Sequence, residues 1–323
     1  MSSHFRNAIG SLTFVFLLLS ATLARAADFL VASDGPPNNG KLHGVLRYNG
    51  ETGAFVGQFI SMSRPFGMTY GPDGNLYVGN LDTSSINRYN GTTGAFISTF
   101  VNSGSGGLGI PWDMAFGPDG NLYVATTEGA SPGILRYNGS SGAFMSRLVD
   151  APSWGLTFGP DGSLYASNQG VRRYSAVDGS YLDDFVAPNY GGFHLKFGTG
   201  GDLFLATVTP GVARFDGSSG AFLGDFAVPP GYPNNPIFGS LEVTFGPDGN
   251  LYVGNALNSG VLRFDGSTGA FIDQFIPLGS GGLDQPRSTM FMVPEPQIIL
   301  WGALGALVMS RRRLPLISGI KRR

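Results

Sequence analysis

Cysteine is absent from the 323 residues. Disulfides, thiolate metal sites and thiol nucleophiles are therefore excluded, and stability has to come from the packed core. Charge is sparse as well, at 13% of residues, and there are three histidines. Low charge beside 42% apolar residues is the composition of a packed chain, not of a disordered one. What is abundant is punctuation: 51 Gly and 21 Pro predict many tight turns and short strands.

Positive charge is scarce over most of the chain. Residues 27–293 hold 12 Lys and Arg against 21 Asp and Glu, a net charge of −9. Such a body disfavours nucleic acid and anionic membrane surfaces. It suits an exported protein and mildly favours cations.

Internal repeats organise the sequence. GPDGNLYVGN stands at 71–80 and again at 246–255, with relatives starting at 117, 159 and 198. Between them runs a second unit, for example RYNGTTGAFISTF at 88 and RFDGSTGAFIDQF at 263. Each period of roughly 44 residues holds four short apolar runs parted by Gly, Asp and Asn turns, the signature of antiparallel hairpins and of a propeller blade. The R(Y/F) unit occurs six times. The LYV unit occurs five times, with a degenerate sixth, FLVAS, at 29–33. That copy lacks an inner strand before it, and PRSTMFM at 286–292 supplies one from the other end. The expectation is an all-β, six-bladed β-propeller of four-stranded antiparallel blades over 27–292. Its ring is closed by the C-terminal inner strand, and apolar helical segments stand at both chain ends. The apolar inner strand leading into a PDG turn and an LYV strand resembles NHL-type and related six-bladed propellers. That resemblance implies the fold and leaves the activity open.

The inner strands align. One face carries Phe66, Trp112, Trp154, Phe193 and Leu241, then Met68 and Tyr70 with their equivalents, and reads as core. The alternate positions are small or polar and predict the lining of a water-filled channel. Asp113, His194 and Glu242 fall in one column of that lining, with Lys196 in the next. Three readings stay open for the trio. It can hold a divalent cation, His194 can serve as acid or base beside Glu242, or the three are channel lining that balances its own charge. The connections facing that column are long and variable, and His43, Tyr190 and Tyr232 sit in them. Binding usually resides in such loops around a rigid ring.

Both ends of the sequence read as addresses. A polar start with His4 and Arg6, the run LTFVFLLLSATLA, and Ala24-Arg25-Ala26 as a cleavage site predict a secretory signal peptide over 1–26. At the far end, Pro294 and Pro296 stop the last strand. The apolar run 297–310 is about 21 Å long as a helix, short for a bilayer core of about 30 Å. Arg311, Arg312 and Arg313 follow it and would stay on the cytoplasmic side. Pro294-Glu295-Pro296, the short transmembrane helix and the arginines resemble a PEP-CTERM sorting signal over 293–323. The resemblance implies export through the inner membrane of a Gram-negative-type bacterium, with membrane association until an exosortase cuts near the motif. Delivery to the outer cell surface or an exopolysaccharide matrix would follow.

The sequence thus predicts an exported, non-enzymatic propeller that binds a glycan, a peptide or surface proteins. The alternative is a metal-dependent lactonase or lyase with its site in the central channel. Lyases of the streptogramin type carry a Glu after the second strand, where this chain has Ser33, Asn80, Thr126, Asn168, Thr207 and Asn255. Peptidyl-lyase propellers use several channel histidines, and residues 27–293 offer only His43 and His194.

Overall fold

The computed structural model describes residues 27–35, 41–207, 211–230, 242–255 and 260–293. Within them, six four-stranded antiparallel sheets form the six blades of a propeller, as the repeats predict. No α-helix occurs among the described residues, and none of their helical turns is long and apolar enough to cross a membrane. The helical segments expected at the two chain ends lie outside the described residues.

Blades two to six use strands consecutive in sequence. Their innermost strands are Pro65–Tyr70, Asp113–Phe116, Gly155–Phe158, Gly192–Phe197 and Val243–Phe245. Blade one combines the two ends of the described chain. Pro286–Phe291 pairs with Phe29–Ser33, and Gly44–Tyr48 and Phe55–Ser61 follow outward. The innermost strands touch in circular order, with Pro286–Phe291 against both Pro65–Tyr70 and Val243–Phe245.

The repeated turns are set by side chains. In the PDG turn Asp73 accepts from the Asn75 N–H at 3.1 Å and from the Tyr77 hydroxyl at 3.1 Å, while Gly74 takes φ +74°. Asp119 with Tyr123, Asp161 with Tyr165 and Asp248 with Tyr252 repeat the bond at 2.8–3.0 Å. Blade five departs in sequence, with Phe204 in the tyrosine place, and there Asp202 takes the Arg214 guanidinium at 2.7 Å. This Asp therefore ties the first turn of a blade to its second strand, and in blade five to its third, beyond shaping the turn.

Neighbouring blades interlock at the outer hairpin. Gly94 sits at φ +72°, and a Cβ there would lie 2.2 Å from the Phe59 carbonyl oxygen of the preceding blade. Only glycine meets both demands. Deeper in, Tyr77 packs edge-on against Phe116 of the next blade with ring centroids 5.0 Å apart, and four further blade boundaries repeat that pair. Each contact adds roughly 0.5–1.5 kcal/mol beyond the area it buries.

Candidate functional site

The innermost strands of blades three and five, and the residue before that of blade six, bring Asp113, His194 and Glu242 together at the centre of the ring. His194 Nε2 lies 3.0 Å from Glu242 Oε1 and 3.5 Å from Asp113 Oδ2. His194 Nδ1 faces the Val243 N–H at 3.4 Å, so the ring proton belongs on Nε2 and is donated to Glu242. Asp113 Oδ1 accepts from the Met114 N–H at 2.7 Å, and Oδ2 from the Leu156 N–H of the next blade at 2.9 Å.

The column is not the water-filled lining that strand alternation suggests. Asp113, His194 and Glu242 are 7%, 6% and 9% exposed. The reason lies one step along the strands, where Phe66, Trp112, Trp154 and Phe193 close over the trio together with Arg287. They leave a space of only about 10 Å³. Phe66 meets Trp112 edge-on at 4.8 Å, and Trp154 meets Phe193 at 5.1 Å. These rings form a plug at the centre as well as packing between blades. On the opposite side the trio faces a recess of about 300 Å³ lined by Thr69, Thr157, Lys196, Thr244 and Thr289.

Burial decides the protonation states. It pushes the Asp113 carboxyl up to about 6, against the pull of the Leu156 and Met114 N–H groups and of Lys196. Burial, and then the Asp113 charge, push the Glu242 carboxyl up. Burial, then Lys196, drive the His194 imidazole down to about 3, so it is neutral at ordinary pH. A divalent cation is one of the three readings open for this trio. No three His, Asp or Glu side chains among the described residues are placed to hold a metal ion.

Other expected positions fare unevenly. Tyr190 is packed, stacked on Phe222 at 5.3 Å and edge-on to Phe215. His43 lines a cleft of about 420 Å³ with Lys41, Gln58, Arg64 and Asp82, and its Nε2 is buried without a partner. Tyr232, Leu241, the cleavage residues Ala24 and Ala26, the Pro294-Glu295-Pro296 motif and the arginines at 311–313 lie outside the described residues.

Sequence reasoning missed two features. Asp34, 2% exposed, bridges Arg64 at 3.1 Å and Arg287 at 2.8 Å, joining blade one to blade two. In the sequence Asp34 stands beside Gly35, and nothing there separates it from a turn residue. The second feature is the outward display of the aromatic and the aliphatic residue that follow Gly in every outer hairpin, as in Phe96 and Ile97. The recurrence of an aromatic–aliphatic pair two residues after Gly in all six units was the available signal.

No protein-family model matches the sequence, and no curated protein is similar to it. Solved structures are. A chain of a nidogen/laminin complex superposes with TM-score 0.63 at 17% identity, over 83% of this chain and 98% of that one. A putative 6-phosphogluconolactonase from Bacteroides uniformis gives 0.57 at 15%, over 83% and 99%. Virginiamycin B lyase from Staphylococcus aureus gives 0.51 at 20%, over 69% and 73%. At these identities the likeness establishes the propeller fold alone.

Proposed function

We propose that this chain is an exported, non-catalytic propeller that binds a ligand at the outer surface, or in the exopolysaccharide matrix, of a Gram-negative-type bacterium. One observation carries the non-catalytic part. Asp113 gives both oxygens to backbone N–H groups, and His194 uses both nitrogens within the protein. A general base needs a free lone pair aimed at substrate, and the neutral His194 has none, since Nδ1 accepts from the Val243 N–H and Nε2–H is given to Glu242. Export rests on the sequence: the signal-like residues 1–26, and the Pro294-Glu295-Pro296 motif with Arg311 to Arg313. The partners this implies are an exosortase, the membrane that holds the apolar segment before processing, and matrix polysaccharide or surface proteins.

Two measurements test the reading. Mass spectrometry of the protein from an exosortase-positive host should find it outside the cell and cut near Glu295. An intact tail held in the inner membrane overturns delivery. The released protein should be retained on native extracellular matrix, and loss of retention in every fraction overturns binding.

The rival reading, a metal-dependent lactonase or lyase, draws on the recess of about 300 Å³ that the trio faces beside Lys196. Elemental analysis decides it. A stoichiometric divalent metal that disappears in Glu242→Ala would establish that reading, and metal-free protein without lactone hydrolysis would remove it.

A further inference from the structure

Among the described residues, fifteen large apolar side chains are exposed, and twelve of them fall into six pairs, one per blade. Each pair opens the outermost strand. The aromatic members are Phe55, Phe96, Phe144, Tyr181, Phe222 and Phe271, from 38% exposed at Phe55 to 60% at Phe96. An aliphatic residue follows each of them.

A backbone irregularity creates the pairs. In blade two Arg88 pairs with Ser98 and Tyr89 with Phe96, so Ile97 is an extra residue in the ladder. The other five outer hairpins break register at the same place. A bulge of this kind re-aims a side chain and spoils the strand for further pairing. It puts two consecutive apolar residues on the outside, where alternation would have turned one inward. Each aromatic ring is held from behind by the ring of the neighbouring strand, as Phe96 is by Tyr89 at 5.6 Å. In blade five Tyr190 stacks on one face of Phe222, and Gly106 and Gly281 lie against the rings of Phe144 and Phe55, so these three rings are partly covered.

We infer that this perimeter is a multivalent binding surface for a neutral polysaccharide, with one pyranose-stacking platform per blade. The inference names the ligand class for the binding reading above and rests on it. Three observations select this occupant. An added protein strand is disfavoured, because every outer edge is bulged. A second copy of the chain is disfavoured by area. An aromatic side chain offers roughly 200 Å² in full, so two patches meeting would bury about 300 Å², against ~1,200 Å² for the smallest stable interfaces. An anionic polymer is disfavoured by electrostatics. The body carries 12 basic against 21 acidic residues, and the turns before the rings hold no Lys or Arg. The acids of those turns are engaged too: Asp216 and Asp265 each accept four hydrogen bonds within their own turn. What remains is a fixed ring face after a turn with hydroxyls such as Thr92 and Ser140, those of Thr93 and Ser141 being spent within their turns. The electron-rich face attracts the C–H face of a sugar, and hydroxyls can meet the sugar's rim. Each contact is weak, and a repeating polymer engages several at once.

The test is native electrophoresis of the secreted protein through gels containing hydroxyethyl cellulose, mixed-linkage β-glucan, galactomannan or alginate. At least one neutral polymer should retard it, and alginate should not. Phe96→Ser with Tyr181→Ser should weaken that retardation at least tenfold. Replacing all six rings by Leu, with melting checked, should abolish it while keeping the apolar area. Absence of retardation in all three neutral gels overturns the inference. So does full retardation of the six-Leu protein, or a wild-type oligomer that the six-Leu change dissociates. If the six-Leu protein still binds native matrix, only this inference falls and the broader binding reading stands.

Discussion

The centre and the rim of this propeller invert the usual distribution of polarity. On the axis, Asp113, His194 and Glu242 are 6–9% exposed, while at the rim Phe96 is 60% exposed. The central polar groups answer one another and nearby N–H groups, so the molecule itself accounts for them. The rim rings stay 38–60% exposed, although Tyr190, Gly106 and Gly281 lie against those of Phe222, Phe144 and Phe55. The difference teaches where to look for structure and where for recognition. A buried polar cluster with internal partners is architecture, whereas an exposed apolar pattern repeated six times asks for something outside the chain.

The largest effect should come from the centre. Deleting 286–291 removes the strand that pairs with Phe29–Ser33 and strips Phe29 and Tyr252 of the Phe291 ring packed on them. Cooperative thermal unfolding should be lost, and an unchanged melt would dismiss the idea that this strand completes blade one. His194→Ala comes next. It strands the Glu242 carboxyl in a buried site, which should cost on the order of 2–4 kcal/mol in urea unfolding. A cost below about 1 kcal/mol would mean the centre is wetter than its burial implies.

A pH series sharpens the same contrast. Burial raises Asp113 from 3.8 to about 6, so the folded protein holds that proton more tightly than the unfolded chain does. The associated stability is fully present below pH 4 and is lost as pH rises toward about 6, on the order of 2–3 kcal/mol in all. Glu242 is raised as well and acts in the same direction. Glu242→Gln keeps an oxygen for the His194 Nε2–H and removes one of the two charges. It should stabilise the protein at pH 8 by about 1–2 kcal/mol and flatten the difference between pH 5 and pH 8. Equal pH profiles for variant and wild type would show that the carboxyls are not desolvated. The Asp residues of the turns, such as Asp216 and Asp265, are shifted down by turn hydroxyl and N–H donors and act only at lower pH.

The blade pattern was legible because local chemistry and global count agree: the PDG and Asn-Gly turns fix the hairpins, and six R(Y/F) units give six blades. The pairing of Phe29–Ser33 with Pro286–Phe291 was legible from a missing strand at one end and a spare at the other. That Asp113, His194 and Glu242 share a layer followed from period 2. Their burial did not follow, because alternation gives a direction and says nothing of what closes the end of a channel. The plug of Phe66, Trp112, Trp154 and Phe193 depends on ring orientation across four blades, which no single strand encodes. The rim was hidden for a related reason. Strict alternation turns one residue of Phe96-Ile97 inward, and the bulge that turns both outward shows only in the register.

The smallest expected effect on stability lies at that rim. Phe96→Ser removes a ring whose back rests on Tyr89 and whose face meets solvent. Because the site is already open, the lost burial is slight, and the melting free energy should change by no more than about 0.5–1 kcal/mol. Tyr89 itself is 5% exposed and belongs to the core between blades one and two, so Tyr89→Ser should cost several times more. Comparing the two by urea unfolding separates a ring that holds the blade from a ring that the blade holds out. If Phe96→Ser proves as damaging as Tyr89→Ser, the rim rings are structural staples, and their exposure is a by-product of packing.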